Sequence, residues 1–350
     1  MSVLLKSESG ILIDHCKYTS KVYKNVAVNE VMLSFQHLLG IFCIKCTERK
    51  GKERKRISNS ENLIKEVSTY FIFKFKFKFT DLIKAELIFK LDIFNSYNVM
   101  ETPEVRNIAA KLFETTTFDL KGINGGNNSD LPLKCKIKDD FFLIPPKSRF
   151  YCGCIKEQCM KLTDKKYDIV IADPPWWNKY IRRLKNGNKK LSYSMMYNED
   201  IADIPVKDLL SENSIIAVWC TNAPSNISAV KDLIFPKWGV EYVTTWYWLK
   251  LTIDMEPLCE FGTGCKKQPY ERVLIGKVGT IRDVPYNQLF ASVPSALHSH
   301  KPPLLDLLTP YVQCENPQTL ELFARYLLPN TTSVGYEPLK WQHLSLYELT

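Results

Sequence analysis

The stretch of sequence that decides the fold is residues 167–176, which read Tyr-Asp-Ile-Val-Ile-Ala-Asp-Pro-Pro-Trp. The first six residues are mostly apolar and β-branched, as is typical of a strand buried in the middle of a sheet. Because proline lacks an N–H and has a fixed φ, the pair Pro174-Pro175 predicts that the strand stops at Asp173. The carboxyl end of this strand is therefore followed by a carboxylate, a rigid turn that presents carbonyl groups, and a flat aromatic ring.

That end of a strand is where ligands bind in open α/β sheets. The exocyclic amine of a nucleobase needs acceptors for its N–H groups and a π-face for its ring. Asp173, Pro174 and Trp176 supply these parts. The alternative explanation of the same residues is a strand-ending turn with an incidental tryptophan.

The composition is that of a globular chain, with 350 residues, 45% hydrophobic and 24% charged. No run approaches the ~18 apolar residues that span a bilayer, and the first residues lack the layout of a secretory signal. The eleven cysteines are an odd number without framework spacing, which predicts reduced thiols inside a cell. Because no apolar run is long enough, we expect no membrane segment.

Positive charge is concentrated in residues 1–100, which hold 17 Lys and Arg against 10 Asp and Glu, whereas the remainder holds 30 against 28. This asymmetry suits a nucleic-acid binder with a separate catalytic body, and a solvated basic tail is the alternative. The basic run at 49–56 is of the kind that serves as a nuclear address or a phosphate-binding arm. It predicts a nuclear protein, with the cytoplasm left open.

The chain divides into three predicted regions: a basic N-terminal region at 1–100, a connecting segment at 101–164 and a catalytic domain at 165–350. In the first, residues 71–79 alternate Phe with Ile or Lys and predict an amphipathic strand. In the second, Thr102-Pro103-Glu104 predicts the start of a helix that runs to about Phe113.

From residue 165 onward, strand and helix patterns alternate and predict a doubly wound α/β sheet with right-handed crossovers. The strand candidates are 167–172, 214–219, 240–249, 272–275 and 319–323. The helix candidates are 204–210, 226–235 and 303–308.

Two further segments carry candidate binding residues. Residues 178–190 hold six Lys or Arg and no acid, which predicts phosphate contacts, with a solvated surface loop as the alternative. Near the C-terminus, Lys301 precedes a helix and suits a carboxylate ligand, and Glu337 is a candidate ribose acceptor. The histidines at 298 and 300 and the cysteines at 152, 154 and 159 match no common zinc spacing, so we expect no metal.

The order of these motifs along the chain is the strongest indication of the protein family. Asp-Pro-Pro-Trp comes first, whereas His300-Lys301-Pro302 and the segment 321–325 come last. Over roughly residues 100–345 the chain resembles the permuted adenine-N6 methyltransferases of eukaryotes, the family of the catalytic subunit that methylates adenosine N6 in messenger RNA. The resemblance implies a Rossmann-like S-adenosylmethionine-dependent methyltransferase fold with permuted motif order, and methyl transfer to adenine N6.

The resemblance also implies roles for particular residues. The implied catalytic residues are Asp173, Pro174, Pro175 and Trp176. The implied residues for S-adenosylmethionine are Asp173, Cys154, Ile155, Lys301, Glu321, Arg325 and Glu337. The implied substrate-binding residues are Lys179, Arg182, Arg183, Tyr193 and Trp248.

The resemblance implies RNA as substrate, with 2′-O-methyladenosine of a small nuclear RNA as the expected target, and an enzyme that acts alone, with a partner subunit left open. Adenine in DNA and a catalytically silent nucleic-acid-binding homologue are the alternatives. Relatives often carry an acid at Cys154, asparagines at Tyr326 and Tyr336, and a tryptophan at Val334. Loss of one to three hydrogen bonds at ~0.5–3 kcal/mol each predicts weaker cofactor binding.

Overall fold

A computed structural model describes residues 2–42 except 8–9 and 29–30, residue 107, and residues 120–350 except 178–194, 254, 256, 260 and 262–267. Several predictions fall outside the described residues: the basic run at 49–56, the strand at 71–79 and the helix at 102–113. The same holds for the basic segment 178–190 with Lys179, Arg182 and Arg183, and for Tyr193.

The described residues form seventeen strands joined by short helices. The strands are β1 Val3–Ser7, β2 Gly10–Ile13, β3 Val26–Val28, β4 Val31–Leu33, β5 Phe35–His37, β6 Asn124–Asn127, β7 Leu133–Ile137, β8 Asp140–Ile144, β9 Ser148–Cys152, β10 Tyr167–Ala172, β11 Leu210–Cys220, β12 Glu241–Lys250, β13 Tyr270–Val278, β14 Leu289–Ser292, β15 Thr319–Leu322, β16 Thr331–Gly335 and β17 Tyr347–Leu349. The α-helices are α1 His15–Val22, α2 Ile155–Met160, α3 Asn198–Ala202, α4 Pro224–Ala229, α5 Phe235–Lys237 and α6 Leu305–Leu308. A π-helical turn at Val230–Ile234 joins α4 to α5, and 3₁₀ turns lie at Leu39–Phe42, Val206–Leu209, Thr309–Tyr311, Lys340–Gln342 and Leu344–Leu346.

A mixed α/β fold results, organised around one large sheet of eleven strands in the order β1-β2-β14-β12-β13-β11-β10-β15-β16-β9-β6. The five strands β11, β10, β15, β16 and β9 run parallel. Beyond them β13 pairs antiparallel with both β11 and β12, so the sheet is mixed. The carboxyl ends of the five parallel strands therefore lie along one edge, the ligand-binding edge of open α/β sheets.

Strand β10 is buried on both faces, as its continuous apolar run predicts. Val170 and Ala172 pack into a core with residues of α2, α3 and the π-helical turn. Ile169 and Ile171 point the other way, into a core with Trp246 of β12 and residues of α6. This alternation fixes the register of β10, because a shift by one residue would exchange the two cores.

The five strand predictions in the catalytic domain are confirmed, with ends that differ by a few residues. The helix prediction for 204–210 is wrong. Residues 206–209 form a 3₁₀ turn after Pro205, and Leu210 already begins β11. No helix in the described part of the chain is long and apolar enough to cross a bilayer.

The described N-terminal residues join the catalytic body. Strand β2 pairs with β14 in the large sheet, and β5 pairs with β17 near the C-terminus. Between these strands, three buried histidines meet: the His300 ring centroid lies 4.3 Å from that of His15 and 5.5 Å from that of His37. Burial lowers the pKa of His15 to about 3 and that of His37 to about 4. The folded chain therefore keeps these rings neutral at mildly acidic pH.

We expect acid to weaken the fold through this histidine cluster. An unfolded histidine takes up a proton near pH 6.5, whereas the buried rings do so only near pH 3–4. The free energy of unfolding should therefore fall as pH drops from about 6.5 toward 4, by about 1.4 kcal/mol per pH unit for each histidine.

Urea denaturation of the parent and of His37→Asn between pH 7.5 and 4.5 measures this. The asparagine amide can still donate to the Leu346 carbonyl that His37 Nδ1 faces at 3.3 Å, but it does not titrate. In the variant, the slope of unfolding free energy against pH should be smaller by about 1.4 kcal/mol per pH unit, which corresponds to one proton fewer taken up on unfolding. Parallel curves for the two proteins would contradict the assignment.

Candidate active site

The candidate site is built around Asp173, the residue that follows β10. Its backbone N–H donates to the Leu322 carbonyl at 3.3 Å, which joins the ends of β10 and β15. Its carboxylate accepts from Arg325 Nη1 at 3.2 Å and lies 3.9 Å from Lys301 Nζ. The side chain is 17% exposed. A partly buried carboxylate with two cations thus stands at the ligand-binding edge of the sheet.

Each of the two cations has a second acidic partner. Lys301 Nζ donates to Glu271 of β13, which also accepts from Lys250 of β12. On the other side, Arg325 Nε lies 3.8 Å from Glu337 Oε2, and Glu337 Oε1 accepts from Lys340 Nζ at 2.7 Å. Asp173 is therefore the centre of one continuous network of alternating charges.

Burial shapes the protonation of these groups. It raises the pKa of Asp173, and the charges of Lys301 and Arg325 oppose that rise. Burial alone would raise the pKa of Glu271 too, but Lys301 and Lys250 lower it to about 2. Burial raises the pKa of Glu321 to about 8, with the Asp173 charge adding to the rise and Arg325 opposing it. Burial thus favours the protonated form of Glu321, whereas the two lysines favour the ionised form of Glu271.

Two residues with positive φ lie in the loops that carry Lys301 and Arg325. Phe323 adopts φ 63° directly after β15, and Ser299 adopts φ 57° two residues before Lys301. A bulky residue at positive φ is rare and costs about 1–3 kcal/mol unless its surroundings impose it. Gly335 allows the close approach of the loop after β15, because a Cβ there would lie 3.1 Å from the Ala324 carbonyl oxygen.

The Pro-Pro-Trp turn is pinned by hydrogen bonds. The Trp176 N–H donates to the Pro174 carbonyl at 2.9 Å, and the Trp176 indole donates to the Trp219 carbonyl at 3.0 Å. A carbonyl has two lone pairs, so Pro174 can accept one further N–H. The Trp176 side chain packs into the core and is 7% exposed, so in this conformation it stabilises the turn. The structure does not present its ring as an open face for a base.

Trp248 lies inside the protein, although the sequence analysis placed it with the substrate. It is 2% exposed in β12, its indole donates to Ser292 Oγ at 2.8 Å, and it packs edge-on against Trp219. The Lys301 ammonium lies 5.1 Å from the Trp219 ring and 6.0 Å from the Trp248 ring. Both tryptophans therefore form the wall behind Lys301.

A cavity of about 320 Å³ opens beside this network. Among the predicted cofactor residues, Cys154, Ile155, Arg325 and Glu337 line it, as does Pro175 of the turn. The other three, Asp173, Lys301 and Glu321, are not among the lining residues, and Glu321 is 8% exposed in β15. Other lining residues are Lys156, Met195, Met196, Asp200, Asp203, Phe323, Ala324 and Tyr336.

The four positions that depart from the resemblance divide into two kinds. Val334 is fully buried in β16, and the Tyr326 hydroxyl donates to the Lys301 carbonyl at 3.0 Å, so both serve packing. Cys154 and Tyr336, in contrast, both line the cavity and lie close to each other. Only this pair brings altered side chains to the cavity.

Sequence analysis missed Glu271, Lys250 and Lys340, which complete the charge network. The one available signal for Glu271 was an acid inside the apolar pattern of β13. It also missed Trp177, whose ring stacks on Tyr197 with centroids 5.9 Å apart. Among the described residues, no group of three or more His, Cys, Asp or Glu side chains is placed to hold a metal ion.

Comparison with known proteins defines the class. Residues 167–337 match the model of the MT-A70 family. A DNA N6-methyl methyltransferase of Caenorhabditis elegans is 44% identical over 209 residues, which are 57% of this chain and 54% of the relative. The human N(6)-adenine-specific methyltransferase METTL4 is 34% identical over 236 residues, which are 63% of this chain and 48% of the relative. The N6-methyladenosine RNA methyltransferase MTA1 of Pyricularia oryzae is 31% identical over 213 residues, 58% of this chain and 56% of the relative.

Residues 167–337 are therefore an MT-A70 domain, and over little more than half of its length the chain is similar to METTL4-like adenine-N6 methyltransferases. It spans about half the length of the curated relatives it matches. The predicted resemblance to this family is thus confirmed, and Asp173 and Arg325, which follow β10 and β15, both lie inside the matched range.

Removal of the Glu271 charge should destabilise the fold through Lys301 and Lys250. Glu271→Gln leaves two nearly buried ammonium groups with one carboxylate fewer, and we expect the free energy of unfolding to drop by about 2 kcal/mol. The matched control is Glu241→Gln, which removes an exposed pair with Lys277 at 3.6 Å and should cost less than about 0.5 kcal/mol. Urea denaturation measures both. Equal losses would show that Glu271 adds nothing beyond a surface pair.

Proposed function

We propose that this protein is an S-adenosylmethionine-dependent methyltransferase that acts on the N6 amine of adenine in nucleic acid. The observation that carries the proposal is the Asp173 carboxylate at the end of β10, held between Lys301 and Arg325 beside the cavity. The match to the MT-A70 family model and the similarity to named adenine-N6 methyltransferases support it.

The chemistry of the cavity suits S-adenosylmethionine, the methyl donor of this family. The cofactor is a zwitterion with a carboxylate, an ammonium and a sulfonium, and the cavity wall offers the Arg325 guanidinium together with the Glu337 carboxylate. Its volume of about 320 Å³ is in the range of small-ligand pockets. Lys301 would hold the carboxylate of the cofactor, Arg325, Glu337 and Tyr336 would lie at its ribose, and Cys154 and Ile155 at its adenine. When bound, the cofactor supplies an electrophilic methyl group.

The residues of this chain would orient and activate the amine. The lone pair of the adenine amine is delocalised into the ring, so the amine is a weak nucleophile. Acceptance of its two N–H groups by the Asp173 carboxylate and the free lone pair of the Pro174 carbonyl would localise that lone pair and aim it. The charges of Lys301 and Arg325 favour the ionised form of Asp173, and the bond from Arg325 holds its carboxylate in place. Acceleration would then come from orientation and preorganised acceptors.

The proposed substrate is RNA, with 2′-O-methyladenosine of a small nuclear RNA as the specific target. DNA adenine is the second candidate, because the relative with 44% identity is named as a DNA N6-methyl methyltransferase. We propose that the enzyme works in the nucleus and acts alone, with the basic residues 178–190 on the phosphates. Mass-spectrometric nucleoside analysis after incubation with RNA, 2′-O-methylated RNA and DNA identifies the substrate. Absence of N6-methyladenine from all three would favour the silent homologue.

Replacement of Asp173 should abolish methyl transfer. Asp173→Ala removes the acceptor, and Asp173→Asn keeps the shape but loses the charge, so we expect turnover to drop by about 10²–10³ in both, with nucleic-acid affinity little changed. The control is Asp130→Asn, an exposed carboxylate that pairs with Lys147 at 3.2 Å. Methylation assays on the accepted substrate measure the effect. Activity of Asp173→Ala within tenfold of the parent would remove Asp173 from catalysis.

Restoration of an amide at Tyr336 should tighten cofactor binding. Tyr336→Asn gains a group that both donates and accepts, which is worth about 0.5–1.5 kcal/mol. Because Tyr336 and Cys154 lie close together on the cavity wall, the double change with Cys154→Asp should exceed the sum of the single changes. Calorimetry with S-adenosylmethionine measures the affinities, with Tyr286→Asn, on an exposed tyrosine elsewhere, as control. Weaker binding by Tyr336→Asn would show that the pair is a compensated part of the cavity.

A further inference from the structure

Two aromatic rings beside the cavity have no part in the site described so far. Trp177 follows the Pro-Pro-Trp turn, and Tyr197 precedes α3. Their planes are 19° apart and their centroids 5.9 Å apart, so the rings are stacked with an offset. Tyr197 is 58% exposed. What distinguishes Tyr197 from a single exposed aromatic is that it stacks on a second ring next to the cavity rim.

The pair is held rigidly with respect to Asp173. The Trp177 N–H donates to the Met196 carbonyl at 3.1 Å, and the Met196 N–H donates to the Pro175 carbonyl at 2.9 Å. These bonds tie the segment that ends in Tyr197 to the turn that follows Asp173. Pro175 and Met196 themselves line the cavity. The stacked pair is therefore a fixed extension of the cavity rim.

We propose that Trp177 and Tyr197 form a stacking platform for a nucleobase next to the target adenine in a single strand. The inference rests on the proposed function, because a target base that leaves its stack strips a neighbouring base of its partner. An aromatic ring can replace that partner, and such stacking contributes about 1–3 kcal/mol per base. The two rings would thus form a binding subsite for the flanking nucleotide, separate from the charge network around Asp173.

Local charge favours the flat ring of a base over a phosphate. Helix α3 begins next to Tyr197 with Glu199 and Asp200 in its first turn, and the Tyr197 N–H donates to Asp200 at 3.4 Å. Two carboxylates so close would repel a phosphate. A nucleobase is uncharged and binds through its face, so it is the part of the strand that these rings accept.

Binding and methylation of short single-stranded oligonucleotides test the platform. The probes are a nine-nucleotide strand with one central adenine and the same strand with an abasic nucleotide on the 5′ or the 3′ side of it. Fluorescence anisotropy should give a loss of affinity on the order of tenfold for one of the two abasic strands. Tyr197→Ala should lose a similar factor on the intact strand and nothing more on that abasic strand, and Tyr197→Phe should bind like the parent.

The control is Tyr286→Ala, since Tyr286 is 74% exposed and lies between β13 and β14. If Tyr197→Ala and Tyr286→Ala bind alike while the parent methylates the strand, the platform is wrong and the proposed function stands. If Tyr197→Ala weakens both abasic strands as much as the intact one, the ring acts through the fold and the platform is also wrong. If the parent binds no strand, both proposals fall.

Discussion

The structure depends on one carboxylate that is largely removed from water. Asp173 would be costly in a partly buried place without partners, and it is matched by Arg325 at 3.2 Å and Lys301 at 3.9 Å. Each cation is matched in turn by an acid, Glu337 or Glu271. The network therefore closes only when the loops before α6 and after β15 reach the end of β10. The parallel pairing of β10 with β15 supplies half of that condition.

The tryptophans supply much of the other half. Trp219 and Trp248 cover the Lys301 ammonium with ring faces, which shields it from water and strengthens its attraction to Asp173 and Glu271. The Trp176 indole bonds the Trp219 carbonyl, so the turn after Asp173 is anchored to the same wall. A buried indole N–H needs an acceptor, and that need sets the position of each ring. The buried tryptophans therefore position Lys301 and the turn after Asp173 without lining the cavity themselves.

Sequence patterns predict the parts of this fold that depend on local periodicity. Strand β10 and its neighbours are long apolar runs, and the proline pair marks where β10 stops. Strands β14 and β16 are four and five residues long and fully buried, so they lack an alternation that could reveal them. The ion pairs join residues far apart in sequence, 152 positions for Arg325 and Asp173 and 30 for Lys301 and Glu271. Only the sheet order brings such residues together, which is why Glu271 and the burial of Trp248 escaped prediction.

The altered residues of the cofactor half show how packing limits the effect of substitution. A tyrosine at 326 is tolerated because its ring lies against His15 and His300 and its hydroxyl reaches the Lys301 carbonyl. The Tyr326 side chain therefore helps to hold the loop that carries Lys301, and this substitution supports the charge network. Val334 is a core residue of β16 and does not line the cavity. Of the four departures, only Cys154 and Tyr336 change the wall of the cavity, where they lie close together. Because the ionic centre is complete without either of them, a change in that pair can alter cofactor affinity while the acceptors around Asp173 keep their geometry.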